Sequence, residues 1–128
     1  MKLIFGGAFN GKLEFVLNEF NLTKDDVCFC KDENLDVAKK VICGLHQFTY
    51  EALKNDKNPL EILKSKEEFL KEKIIICDDL NSGIVPLEKL ERKWREENGK
   101  CLQWISKKSS KVYRVFFGIE TVIKNEED

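Results

Sequence analysis

The sequence predicts an α/β fold in three layers, with a mostly parallel sheet of about five strands between helices and a C-terminal antiparallel edge strand. Three observations predict it. Short apolar runs alternate along the chain with amphipathic stretches of helical spacing. The most strand-like run, Ile74-Ile75-Ile76-Cys77, is apolar throughout and rich in β-branched residues, as a strand covered on both faces should be. A glycine-rich turn joins the first apolar run to the first helical stripe. The 128 residues fit one domain, 1–128.

Lys2–Phe5 is the first expected strand, and Leu13, Val16, Leu17 and Phe20 form one face of the helix that follows. Asn21 to Asp26 is a polar connector into a second strand, Val27–Cys30, whose natural pairing is parallel to the first in a βαβ unit. Leu35 to about Lys54 reads as a helix on the stripe Ala38, Val41, Ile42, Leu45, Ala52 and Leu53, weakened at Gly44. Asn58 is an N-cap with Pro59 in first position and Glu61 three residues on, starting a helix that runs through Leu60, Leu63, Phe69 and Leu70. Ile74–Cys77 is the third strand. Asn81-Ser82-Gly83 is a turn, and Ile84-Val85-Pro86 leads into the longest helix, with its stripe on Leu87, Leu90, Trp94, Cys101 and Ile105 and a kink expected at Asn98-Gly99. Val112–Phe117 is a strand, and Thr121–Lys124 returns antiparallel at the edge after a tight connection at Gly118. Asn125 to Asp128 is a charged tail.

Apolar residues make up 42%, enough for a packed core, and charged residues make up 35% but nearly cancel, to net −1. Without a basic excess, nucleic acid is not an expected partner. No apolar run approaches membrane-spanning length, and Met1 leads straight into a strand without a signal-peptide pattern, so a cytoplasmic protein is expected. Five cysteines without a C-x-x-C, and a single histidine, point to reduced thiols used as small apolar side chains rather than to a zinc site.

The first turn carries the chemistry. Gly6 through Gly11 and Lys12 meet the pattern G-x-x-x-x-G-K-[ST] except at its last place, where Leu13 stands for the hydroxyl residue. In a P-loop-like turn, Gly6, Gly7, Asn10 and Gly11 supply backbone N–H donors to an anion, the helix adds its positive end, and Lys12 reaches the outer phosphates. Leucine has no lone pair, so Mg²⁺ loses a ligand and phosphate affinity is expected to depend little on the metal. A glycine-rich turn kept only for folding is the other reading of these residues. Asp78 and Asp79 end the third strand, either as the acids that position Mg²⁺ or as ordinary strand-end carboxylates. His46, the single histidine, invites a catalytic role, but its position alone reads rather as a helix-surface or half-buried imidazole.

The C-terminal half adds a family likeness. Gly83-Ile84-Val85-Pro86, then Leu90, Arg92, Trp94-Arg95, Gly99, Gln103 and Gly118-Ile119, resembles the bifunctional adenosylcobinamide kinase and adenosylcobinamide-phosphate guanylyltransferase family of cobalamin biosynthesis. The likeness runs from about Ile75 to Lys124, and Gly6-Gly7-Ala8 with Gly11-Lys12 fits the same family's phosphate loop. The chain resembles a shortened, divergent member. Phe9-Asn10 replaces the loop's Arg-Ser, and the missing part is expected between His46 and Ile74, where the family carries a further strand with a metal-binding acid. His46 lies a few residues out of register with the family's guanylylated histidine, which follows a helical segment much like Lys39 to Ile42.

The resemblance implies a P-loop fold, binding of a purine nucleotide (ATP or GTP), a corrinoid acceptor, and a homo-oligomer, up to a trimer. It implies phosphoryl or nucleotidyl transfer, with Lys12 stabilising charge, Asp78 or Asp79 holding Mg²⁺ and His46 as the covalent acceptor. With Leu13 in the loop, kinase turnover is expected to be weak or lost. The alternative expectation is a non-catalytic relative acting as a ligand-binding, structural or regulatory subunit.

Overall fold

In the computed structural model, which describes residues 1–8, 10–80 and 88–127, every apolar run named above is a strand, and one more joins them. The strands are β1 (Lys2–Gly6), β2 (Val27–Phe29), β3 (Val41–Cys43), β4 (Ile74–Asp78), β5 (Lys111–Phe116) and β6 (Ile119–Asn125). They form one six-stranded sheet in the order β2-β3-β4-β1-β5-β6. All neighbours are parallel except β5 and β6, which are antiparallel. This is the mostly parallel, P-loop-like α/β arrangement expected, with the antiparallel strand at its edge.

Strand alternation divides the core in two. Leu3, Ile42, Ile75, Cys77 and Val112 point to one face, under α2 (Leu45–Lys54), α3 (Pro59–Ser65), α4 (Glu67–Leu70) and α5 (Lys89–Lys108). Ile4, Val41, Ile74, Ile76, Tyr113 and Val115 point to the other, under α1 (Lys12–Glu19), where Val16 is buried with Leu13, Leu17 and Phe20 beside it. A strand covered on both sides must be apolar at every position, which is why Ile74-Ile75-Ile76-Cys77 reads as a continuous run.

The stretch from Leu35 to Lys54 departs from the expected helix. Its first residues are irregular, Val41–Cys43 is strand β3, and only Leu45–Lys54 is helical. Val41 and Ile42 are both fully buried, one toward each core, so sheet pairing with β4 outweighs their helical spacing. Gly44, at φ 90°, makes the turn from strand to helix in a left-handed conformation that most side chains avoid. As expected, no strand lies between His46 and Ile74 among the described residues; β3 precedes His46. It corrects one further expectation. The first two strands, β1 and β2, do not pair in a βαβ unit, because β3 and β4 stand between them.

The helix after Pro59 is two pieces, broken at Lys66, and Asn58 caps the first by accepting the Glu61 N–H at 3.2 Å. α5 runs unbroken through Asn98-Gly99 rather than kinking there. Asn98 is 1% exposed and spends its amide on partners across the core, so it does not open a turn. The expected turn and lead-in at Asn81 to Pro86, Leu87 of the helical stripe, Phe9 and Asp128 lie outside the described residues. Phe117 and Gly118, both at positive φ, form the β5–β6 turn. Among the described residues, no helix is long and apolar enough to cross a membrane.

Candidate functional site

Register brings the site together. Gly6, the last residue of β1, pairs with Asp78, the last of β4, so the loop leaving β1 passes directly over that carboxylate. The Asp79 N–H donates to Gly6 O at 2.7 Å and ties the two strand ends. Gly6 itself is packed against β5: a Cβ there would lie 2.3 Å from Val115 O. The turn runs on to Gly11, the N-cap of α1, and Asn10 O accepts the Gly118 N–H at 2.8 Å, so the β5–β6 turn braces the loop.

Lys12 opens α1 and is only 6% exposed. Its Nζ donates to Gly7 O at 2.6 Å and lies 2.8 Å from Asp78 Oδ1. A buried ammonium needs such partners, because desolvation otherwise costs several kcal/mol. The ion pair and the carbonyl close the loop into a clasp.

His46 stands on the other side of Asp78. Gly44 donates to Ile76 O at 2.9 Å, which lays the start of α2 across the end of β4. His46 Nδ1 then accepts the Asp78 N–H at 3.1 Å, and Nε2 lies 3.4 Å from Asp78 Oδ2. Burial lowers the imidazole's pKa from its ordinary value; Asp78 pulls it up, and Lys12 pushes it down again. The backbone of His46 is held from behind. Trp94 Nε1 donates to His46 O at 2.8 Å and to Thr49 Oγ1 at 3.0 Å, and the Thr49 hydroxyl donates to Asn98 Oδ1 at 2.7 Å. Asn98 in turn lies against Cys77 Sγ, at 3.7 Å.

Lys12, His46 and Asp78 line a cavity of about 180 Å³ with Asn10, Gly11 and Cys43. It opens at the C-terminal ends of β1, β3 and β4, where open α/β sheets hold their ligands. Of the residues singled out in the sequence, Asn10, Gly11, Lys12, His46 and Asp78 meet here. Gly6 and Gly7 do not line it, and neither does Asp79, which is tied by its backbone to Gly6. Leu13 lines the cavity and packs into the core under α1.

Cys43, Gly44 and the Thr49–Trp94–Asn98 network were not expected at the site. The run Val41-Ile42-Cys43 ending in glycine is the signal that could have found the first two. All five cysteines are free thiols. Burial pushes Cys43 up to about 11 and Cys77 up to about 12, so both are protonated at neutral pH.

Among the described residues, the cavity offers Mg²⁺ no carboxylate besides Asp78 and the exposed Glu14. Asp78 is engaged by Lys12 and faces His46, Leu13 offers no oxygen, and β3 ends at Cys43-Gly44 without a carboxylate. Among the described residues, no group of three or more His, Cys, Asp or Glu is arranged for a metal ion.

Residues 41–123 match the family described as cobinamide kinase / cobinamide phosphate guanyltransferase. No curated protein matches the chain.

Proposed function

Because this chain belongs to the cobinamide kinase / cobinamide phosphate guanyltransferase family, we propose that it binds the phosphates of a purine nucleotide, ATP or GTP, at the Lys12 loop. We propose further that it retains transferase chemistry toward a corrinoid acceptor. The observation that carries this reading is the buried Lys12 ammonium, held over the β1 and β4 ends at the mouth of the cavity. A lysine buried in an acidic clasp has little structural reason to sit beside an open cavity. It has a good chemical one, since a phosphate can replace the carboxylate as its partner.

The cavity is smaller than the roughly 300–1,000 Å³ typical of small-molecule sites, so it suits the phosphates, with sugar and base lying outside it. Lys12 would stabilise charge on the transferred group, and loop N–H groups with the start of α1 would share that work. Since the described residues of the cavity offer Mg²⁺ so few carboxylates, binding proceeds without strong metal assistance and kinase turnover is low. A covalent acceptor role for His46 would fall to Nε2, since Nδ1 accepts the Asp78 N–H.

Self-association at the β5–β6 hairpin is part of this proposal. Phe116, Phe117, Ile119 and Val122 are more than half exposed there, an apolar cluster of the kind that marks protein interfaces. Calorimetric titration with ATP and GTP, with and without Mg²⁺, tests the nucleotide reading. Heat of binding that survives chelation of metal and disappears in Lys12→Ala supports it. Equal binding by Lys12→Ala would reduce the loop to a folding turn.

A further inference from the structure

We infer that Trp94 is a positioning residue for His46. Its indole N–H locks the first turn of α2 to α5. The lock holds the His46 ring with Nδ1 on the Asp78 main chain and leaves Nε2–H for a phosphate oxygen in the cavity. It is needed because α2 starts without a side-chain cap. The N-cap is Gly44, which offers the first N–H groups no acceptor, and His46 is the second residue of the helix. Trp94 Nε1 reaches across from α5 and donates both to His46 O at 2.8 Å and to Thr49 Oγ1 at 3.0 Å. Asn98, one turn further along α5, accepts from the Thr49 hydroxyl at 2.7 Å. Thr49 and Asn98 are buried, and away from water such bonds are stronger and a lost partner costs more. Tyr50 packs edge-on against the Trp94 ring, with 5.1 Å between centroids.

The first turn of α2 carries the imidazole. His46 Nδ1 accepts the Asp78 N–H at 3.1 Å. That is close to the long end of the hydrogen-bond range, so a slide of about half an ångström breaks it. A main-chain N–H donates only to an unprotonated nitrogen, so the neutral ring carries its proton on Nε2. Asp78 Oδ2 stands 3.4 Å from Nε2, an ion-pair distance and not a hydrogen bond. His46 lines the cavity with Lys12, and Nε2–H is the donor it offers there. The phosphate contact rests on the phosphate-binding reading of the loop, whereas the lock stands on the distances alone.

The chain has one histidine, so its side-chain nitrogen signals belong to His46. NMR of the nitrogen-labelled protein at mildly alkaline pH should show a coupling across the hydrogen bond between Asp78 N and His46 Nδ1, with the ring proton on Nε2. Trp94→Phe keeps an aromatic ring against Tyr50 but removes the donor. In that variant the coupling should vanish, and the Asp78 amide proton should exchange about tenfold faster. Tyr50→Leu weakens the packing of the same two helices but spares the indole N–H, and it should keep the coupling.

Titration with inorganic triphosphate in chelator supplies the second readout. Trp94→Phe should bind about fivefold more weakly, part of the roughly tenfold that one hydrogen bond to a charged group is worth. A parent protein without the coupling, a coupling that persists in Trp94→Phe, or one lost equally in Tyr50→Leu overturns the inference. So does triphosphate affinity unchanged in Trp94→Phe. If the parent binds no triphosphate, the loop reading fails, and the coupling still decides whether Trp94 sets the ring.

Discussion

Lys12 and Asp78 should behave as one energetic unit, and a double-mutant cycle of Lys12→Met and Asp78→Asn tests this. At 2.8 Å the bare attraction between unit charges is about 6 kcal/mol at an effective dielectric of about 20. Burying the ammonium, at 6% exposure, opposes this by several kcal/mol, and Asp78 keeps 27% of its side chain in water. The net coupling should be about 2 kcal/mol. Lys12→Met keeps the aliphatic stem but leaves Asp78 with His46 and water, and removes the donor to Gly7 O. Asp78→Asn leaves the buried ammonium with one carbonyl.

Each single change should cost about 2–3 kcal/mol, and the double change about the same, not the sum. For 128 residues, an unfolding entropy of about 2.1 cal/mol/K per residue converts 1 kcal/mol to about 4 °C of melting temperature. Each single variant should therefore melt about 8–12 °C below the parent. Calorimetric melting gives the stabilities, and titration with inorganic triphosphate gives the function. Lys12→Met should abolish binding, and Asp78→Asn should tighten metal-free binding about tenfold, because Lys12 no longer has to leave a carboxylate. Additive costs, with coupling under about 0.5 kcal/mol, would show a solvated pair and refute the argument.

Three further outcomes follow from the same geometry. Thr49→Val should cost about 2 kcal/mol, because Asn98 Oδ1, buried in the core, loses its 2.7 Å donor; urea denaturation measures it, and a loss below about 0.5 kcal/mol would mean Asn98 finds another partner. Burial lowers the His46 pKa below its ordinary 6.5, so as pH falls through 6.5 the unfolded chain binds a proton before the folded one does. Stability should therefore drop on acidification below that value, and the drop should be smaller in His46→Gln; parallel urea midpoints for the two proteins would contradict this. Leu13→Ser should introduce Mg²⁺ dependence into nucleotide binding at a cost in melting temperature, since Leu13 packs under α1; titration with and without Mg²⁺ decides, and an unchanged ratio would mean the new hydroxyl does not face the ligand.

Much of the fold was legible because it rests on one rule, that a strand covered on both faces is apolar throughout. That rule found β4, short runs of strand character found β1, β2 and β5, and the tight connection at Gly118 found β6. It missed β3, since three residues are too few to show a period of two. Val41 and Ile42 also fall at spacings shared with Leu45 and Leu53, residues that are helical or core-facing for separate reasons. Only the neighbouring strand settles the matter: β3 forms because β4 offers it a parallel edge. Asn98-Gly99 misled in the opposite way. Asn-Gly favours a turn when its polar groups face water, but Asn98 faces Thr49 and Cys77 instead. Local propensity was outweighed by a partner 49 residues away.

The site was legible residue by residue but not as an arrangement. Lys12 follows from the glycine pattern, and Asp78 from its place at the end of an apolar strand. Their meeting depends on β1 and β4 being neighbours in a register that pairs Gly6 with Asp78, and no local signal carries that. His46 shows the gap most clearly. Its position reads as a helical imidazole and only the family resemblance makes it an acceptor; placed one turn after β3, it is delivered to Asp78, whose N–H donates to Nδ1. The same move explains the tolerance of Leu13. With Lys12 paired to the carboxylate, charge at the site is already balanced without a divalent cation. A hydroxyl at position 13 would then hold Mg²⁺ only weakly, and a leucine there gains burial in the core under α1. Loss of the metal ligand and capture of Asp78 by Lys12 are thus two sides of one arrangement, and restoring the hydroxyl alone should recover only part of the metal dependence.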